Sequence, residues 1–223
     1  MISGKILIYF FIVIFICIFL CVIIYRTYNL YTVDYSKYLV PKKLYPNMEK
    51  IWLNKEDITK ELTKILFQNK WIDWTNSPDH LNVSETEMLT YIGNNCTTLD
   101  DITKKRKIYG LILNNKVLVN GLIFCPRLTV RLSKIPEVIN AGFQTLESGK
   151  EIINQIDLNS NVYRCYIPLI CPKQKSGIQI IDNDYQINLN DCDYYIFNQK
   201  YPVREWNTSN EFRISLVIDI KKQ

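Results

Sequence analysis

From Ile6 to Tyr25 the chain reads ILIYFFIVIFICIFLCVIIY, twenty residues without a charge, bracketed by Lys5 and Arg26. An α-helix rises about 1.5 Å per residue, so this run reaches about 30 Å, the thickness of a bilayer's hydrocarbon core. A cleaved signal peptide has a shorter apolar stretch, about 7 to 15 residues, and a small-residue cleavage site. Here Tyr25-Arg26-Thr27-Tyr28-Asn29 follows instead. The run therefore predicts one transmembrane helix over residues 6–25, behind a short flank over 1–5, in a single-pass membrane protein. Lys5 on one side and Arg26, Lys37, Lys42 and Lys43 on the other nearly balance, so the positive-inside rule leaves the side of the domain undetermined.

What remains is one domain of ordinary size. Roughly 190 residues bury about 70% of their extended-chain surface, so such a domain needs neither disulfides nor metal to fold. Cys17 and Cys21 lie inside the apolar run, and Cys96, Cys125, Cys165, Cys171 and Cys192 outside it form no CxxC pair. Thiolate metal binding is not indicated. The net charge of +5 is spread along the chain, with one basic run from Lys104 to Lys107 and no basic face interleaved with aromatics, so no nucleic-acid partner is expected. Asn82, Asn95 and Asn207 open sequons that would accept glycans if the domain were lumenal.

Residues 27–48 hold Pro41 and Pro46 among tyrosines and lysines without periodicity, and read as a tether; the domain is expected over 49–223. Behind a possible Asn54 cap, Ile58, Leu62, Ile65 and Leu66 make one apolar stripe at helical spacing. A second short helix is expected around Met88, Leu89 and Ile92. From Lys107 the pattern turns to strand: Ile108 to Leu113, an Asn114-Asn115 turn, then Lys116 to Val119 as a hairpin. Pro126 opens a helix with Leu128, Leu132 and Ile135 on one side, and Pro136 ends it. Beyond Ala141, strands are expected near Val162–Ile170, Ile178–Ile181, Tyr185–Leu189, Tyr194–Phe197 and Phe212–Ile220. Short strands with turn signals between them suggest a double-sheet, jelly-roll architecture.

Cys125-Pro126-Arg127 heading a helix, Gly149 in a turn, Arg164-Cys-Tyr-Ile-Pro-Leu169, Trp206-Asn207 and Arg213-Ile-Ser-Leu-Val-Ile-Asp-Ile220 occur in an order that resembles the aspartyl/asparaginyl β-hydroxylases. The resemblance covers roughly Lys107 to Ile220. It implies an α+β fold with a double-stranded β-helix (jelly-roll) core and flanking N-terminal helices, preceded here by one transmembrane helix. It also implies Fe(II) and 2-oxoglutarate as cofactors if the protein is active, and a lumenal domain if it follows the family.

In that family a histidine six residues after the turn glycine supplies one iron ligand, and that count from Gly149 falls on Gln155. A second histidine, ten residues before the arginine of the last strand and three before a tryptophan, falls on Val203. Neither is an imidazole, and the only histidine of the chain is His80. Non-haem iron needs protein ligands with lone pairs, so Gln155 and Val203 are degenerate metal positions, and no cofactor is expected. A rescue through Asp157 with Glu205 or His80 is the alternative. The family's two co-substrate arginines correspond to Arg164 and Arg213, with Tyr166 where the family has a further histidine. Guanidinium forks bind carboxylates in pairs of charge-assisted hydrogen bonds, so Arg164, Tyr166 and Arg213 are the expected anion-binding residues. The other possibility is that both arginines pair with acids such as Asp219 or Glu205.

Three functions follow. One is a catalytically inactive hydroxylase-like module, held at a membrane by residues 6–25, that binds a dicarboxylate, a peptide or a protein. Another is an active dioxygenase with an atypical metal site, acting on peptidyl Asp or Asn or on lipid. The third is a purely structural membrane-tethered protein.

Overall fold

The computed structural model describes residues 13–24, 37–66, 72–73, 107–154, 161–183, 185–189 and 193–222. The chain divides into two compact units, Met1–Lys37 and Tyr38–Gln223. In the first, residues 13–24 form a helix (α1) whose large apolar side chains, Phe15 and Ile24 among them, are exposed. No helix among the described residues is long and apolar enough to cross a membrane. The rest of the expected span over 6–25 lies outside the described residues, as do His80, the expected helix at Met88–Ile92, Gln155 and Asp157.

The second unit is built on two antiparallel sheets. The larger contains β1 (Ile72–Asp73), β2 (Lys107–Leu113), β4 (Val138–Leu146), β11 (Arg213–Lys221), β6 (Val162–Ile170) and β9 (Tyr195–Asn198) in that spatial order, with β3 (Lys116–Val117) paired to β2. The smaller runs β5 (Lys150–Asn154), β10 (Val203–Asn207), β7 (Ser176–Ile180), β8 (Tyr185–Asn188). From β4 onward the chain changes sheet at every connection except the β7–β8 hairpin. This is the double-stranded β-helix that the strand spacing and the resemblance predict.

Strand alternation sorts the side chains of β11 into two environments, because successive residues face opposite ways. Ile214, Leu216, Ile218 and Ile220 join the apolar core together with α2 (Pro46–Trp52), α3 (Lys55–Ile65) and α5 (Pro126–Ser133), contributing Met48, Ile51, Ile58, Leu62, Leu128 and Leu132. Arg213, Ser215, Val217 and Asp219 take the other face, between the sheets. Proline opens both α2 and α5 at their first turn, where its missing N–H costs nothing. Between β3 and α5 lies α4 (Val119–Phe124), so the expected strand from Lys116 stops at Val117. Asn114 and Asn115 hold φ of 49° and 63°, the left-handed pair that a tight two-residue hairpin requires.

The tether is shorter than its composition suggests. Leu39 bridges Phe197, the Val40 N–H donates to the Ile196 carbonyl (2.8 Å) and the Asn198 N–H to the Tyr38 carbonyl (2.8 Å), extending the larger sheet beyond β9. Tyr38, Val40, Tyr45 and Met48 are buried. Residues 38–48 are thus part of the domain. Leu39 and Val40 find their partners far along the chain, in β9, which is why the start of the segment shows no local periodicity.

Candidate functional site

The space between the sheets holds a buried polar cluster beside the aliphatic side chains of Ile178, Ile180 and Val203. Its geometry starts at the turn from β10 to β11. Asn207, fully buried, donates from Nδ2 to the carbonyls of Leu146 (3.0 Å) and Glu211 (2.7 Å) and accepts from the Ser209 N–H (3.2 Å) and Oγ (2.7 Å). Those bonds fix β10 against the end of β4. Two residues earlier on the same face is Glu205, also fully buried.

Glu205 gathers the site. Its Oε1 accepts from the Tyr166 hydroxyl at 3.0 Å, and its Oε2 accepts from Gln144 Nε2 at 3.0 Å and forms an ion pair with Arg213 Nη2. Arg213 donates a further bond from Nη1 to the Gly177 carbonyl at 3.2 Å. Three strands of the larger sheet and two of the smaller therefore meet on one carboxylate and its guanidinium. The Arg213 Nε and the Ser215 Oγ are buried without a hydrogen-bond partner.

Arg164 belongs to a separate pair. It lies directly across from Asp219 in the β6–β11 ladder and holds it with two bonds, Nε to Oδ1 at 2.7 Å and Nη2 to Oδ2 at 3.1 Å. Asn140, across from Asp219 on the other side, adds a bond at 3.3 Å. Burial works against the Arg164 charge, but the Asp219 carboxylate outweighs it and holds the guanidinium pKa above its ordinary value. Asp219 stands six residues along β11 from Arg213, about 20 Å by strand rise. The structure thus brings Tyr166 and Arg213 together on Glu205, and ties Arg164 to Asp219 instead.

Val203 faces the same interior as Glu205, 6% exposed, between Asn154 of β5 and Ile180 of β7. The described donor set does not fit an iron centre. Valine has no lone pair, and both oxygens of the nearest acid on β10, Glu205, already accept bonds from Tyr166, Gln144 and Arg213. Among the described residues no group of three or more His, Cys, Asp or Glu is placed to hold a metal.

Gln144 is the member of this network that the sequence reading does not single out. It lies across from Ser215 in the β4–β11 ladder. A signal did exist: polar residues at 213, 215 and 219 of a strand whose other face is purely aliphatic mark an inward polar face, and their partners had to be polar as well.

The Aspartyl/Asparaginyl beta-hydroxylase family model matches residues 53–223. Among solved structures, the chain is similar to the plu4264 protein of Photorhabdus luminescens, at 17% identity over 37% of this chain and 62% of that one, less than two thirds of its length, with a TM-score of 0.32. It is also similar to a protein from Thermotoga maritima described as a predicted oxalate decarboxylase (10% identity, 53% of this chain, 82% of that chain, TM-score 0.34). A third is the Cnp3 cupin domain of Schizosaccharomyces pombe (11% identity, 54% and 67%, TM-score 0.36). A search of curated proteins finds no match.

Proposed function

The chain belongs to the aspartyl/asparaginyl β-hydroxylase family, and from that premise we propose that it is a membrane-anchored pseudo-dioxygenase, a member that keeps the shell of the fold without oxidation. One observation carries the reading: the guanidinium of Arg213, where the family resemblance puts a co-substrate carboxylate, is already paired with the protein's own Glu205. A 2-oxoglutarate molecule entering here would have to displace a fully buried carboxylate from Arg213, Tyr166 and Gln144. Val203 supports the same conclusion from the metal side, since a buried alkyl group replaces a ligand. The unpartnered Arg213 Nε and Ser215 Oγ favour a second reading, in which the interior still takes a small dicarboxylate or peptide carboxylate without turnover.

The anchor is residues 6–25, and the exposed apolar surface of α1 over 13–24 supports that assignment. Full-length chain in membranes is expected to stay in the pellet on alkaline carbonate extraction; release would remove the anchor from the proposal.

Titration of the 38–223 fragment with iron(II) or manganese(II), with and without 2-oxoglutarate, tests the catalytic reading. No tight metal binding and no succinate are expected. Succinate release coupled to metal binding would establish an active dioxygenase. Thermal stabilisation of the parent fragment by 2-oxoglutarate alone would favour the carboxylate-binding reading.

A further inference from the structure

Helix α4 is inside out. Val119, Leu122 and Ile123, spaced i, i+3, i+4 and therefore on one face, are 61%, 45% and 62% exposed. Its inward residues are Gly121, whose added Cβ would lie 2.9 Å from Thr129 Oγ1, and the half-buried Phe124, which packs against the core, while its aliphatic side chains turn outward. Cys125 joins α4 directly to α5, whose outward face carries Arg127, Val130 and Arg131. Across an open cleft of about 530 Å³, α3 presents Lys60 and Lys64.

The acids lining that cleft offset only part of this charge. Glu61 is buried, and its carboxylate accepts the Arg127 and Leu128 N–H groups at 3.1 and 2.9 Å, capping α5 from another helix. Asp57 pairs with Lys60 at 3.0 Å. Lys64, Arg127 and Arg131 form no salt bridge among the described residues, and the Asp57 carboxylate acts on both arginines only at longer range. Aliphatic side chains facing water beside cations free of salt bridges are what an interfacial surface needs: apolar groups enter the headgroup boundary while cations meet lipid phosphates.

We propose that the face formed by α4 and α5, with Lys64 of α3, docks on an anionic bilayer. The charge complementarity and the outward aliphatic trio select the occupant. The anchor over 6–25, on the reading given above, would keep a bilayer within reach, so the docking adds a second, reversible attachment to the first.

The 38–223 fragment contains the whole described core and one of the two compact units, so it can be tested without the anchor. It is expected to sediment with phosphatidylcholine vesicles containing phosphatidylserine, and not with phosphatidylcholine alone. Partitioning should fall roughly five-fold for each cation removed in Arg127→Ala and Arg131→Ala, and should also fall in Leu122→Ser/Ile123→Ser. Unchanged melting of these surface variants would show that the loss is one of binding. Absence of binding to either vesicle, or equal binding to both, would overturn the proposal. So would a fragment dimer that Leu122→Asp dissociates, which would assign the face to a second copy. Full-length chain retained in membranes while the fragment fails to bind would leave the anchor standing and remove the docking face alone.

Discussion

Glu205 and Arg213 are both buried, and an ion pair in such a place is held together more by the cost of breaking it than by its net worth. Removing one charge leaves the other uncompensated, at about 3–5 kcal/mol, whereas replacing both with neutral side chains of similar volume is often close to neutral. Glu205→Gln is therefore expected to lower the denaturation midpoint of the 38–223 fragment strongly, and Arg213→Met in that background to restore most of it. Additive losses in this double-mutant cycle would mean that the two residues act separately. Arg213 stands out in the sequence as a charge in an expected strand and Glu205 as an acid that could pair with it, yet the sequence leaves open whether Arg213 faces a ligand or an acid. Only the β10–β11 turn, closed by Asn207, sets Glu205 two residues up one strand against the start of the next.

At the scale of elements, α3 and α5 are each legible from their apolar stripes and from Pro126, but their joint is not. Asn54, the expected cap of α3, donates its side chain backward to the Lys50 carbonyl at 2.7 Å and makes no cap bond. The cap that matters is Glu61, which serves the N-terminus of α5 from the middle of α3, where a negative charge also meets the positive end of the helix dipole. Losing two charge-assisted bonds to backbone N–H groups, the one at Leu128 buried, predicts a cost of about 1–3 kcal/mol for Glu61→Ala, with Glu61→Gln, which retains one acceptor, costing less. Equilibrium unfolding of the fragment measures both, and equal stability of Glu61→Ala and the parent would refute the cap. A local motif search looks for a cap within a few residues of the helix start, so one supplied from 66 residues away in sequence is invisible to it.

For the molecule as a whole, four acids that ionise above neutrality are held protonated by burial. Burial pushes the Cys125 thiol from its ordinary 9.0 to about 12, with Glu61 adding to the shift, and the Tyr194 hydroxyl from 10.0 to about 12; Cys165 and Tyr109 move in the same direction for the same cause. A folded pKa raised above the unfolded value contributes stability that is complete below the unfolded pKa and is lost as pH rises through the folded one. Stability of the reduced fragment is therefore expected to be level from pH 7 to near 9 and to fall between about 9 and 12. Cys125→Ser/Cys165→Ser should make that fall shallower, and the same slope in the variant would remove the thiols as its source. By itself the sequence determined the apolar run, the hairpin asparagines, the proline-headed helix and most strands, because each is written in neighbouring residues as a period, a turn preference or a missing N–H. It also determined that Val203 cannot ligate a metal, since that follows from the side chain alone. Tertiary structure decided the rest. It took residues 38–48 into the domain, turned α4 outward, and paired Arg164 with Asp219 and Arg213 with Glu205. Those outcomes depend on which distant strands become neighbours, and in a sheet a partner is chosen by register across the ladder, not by adjacency along the chain.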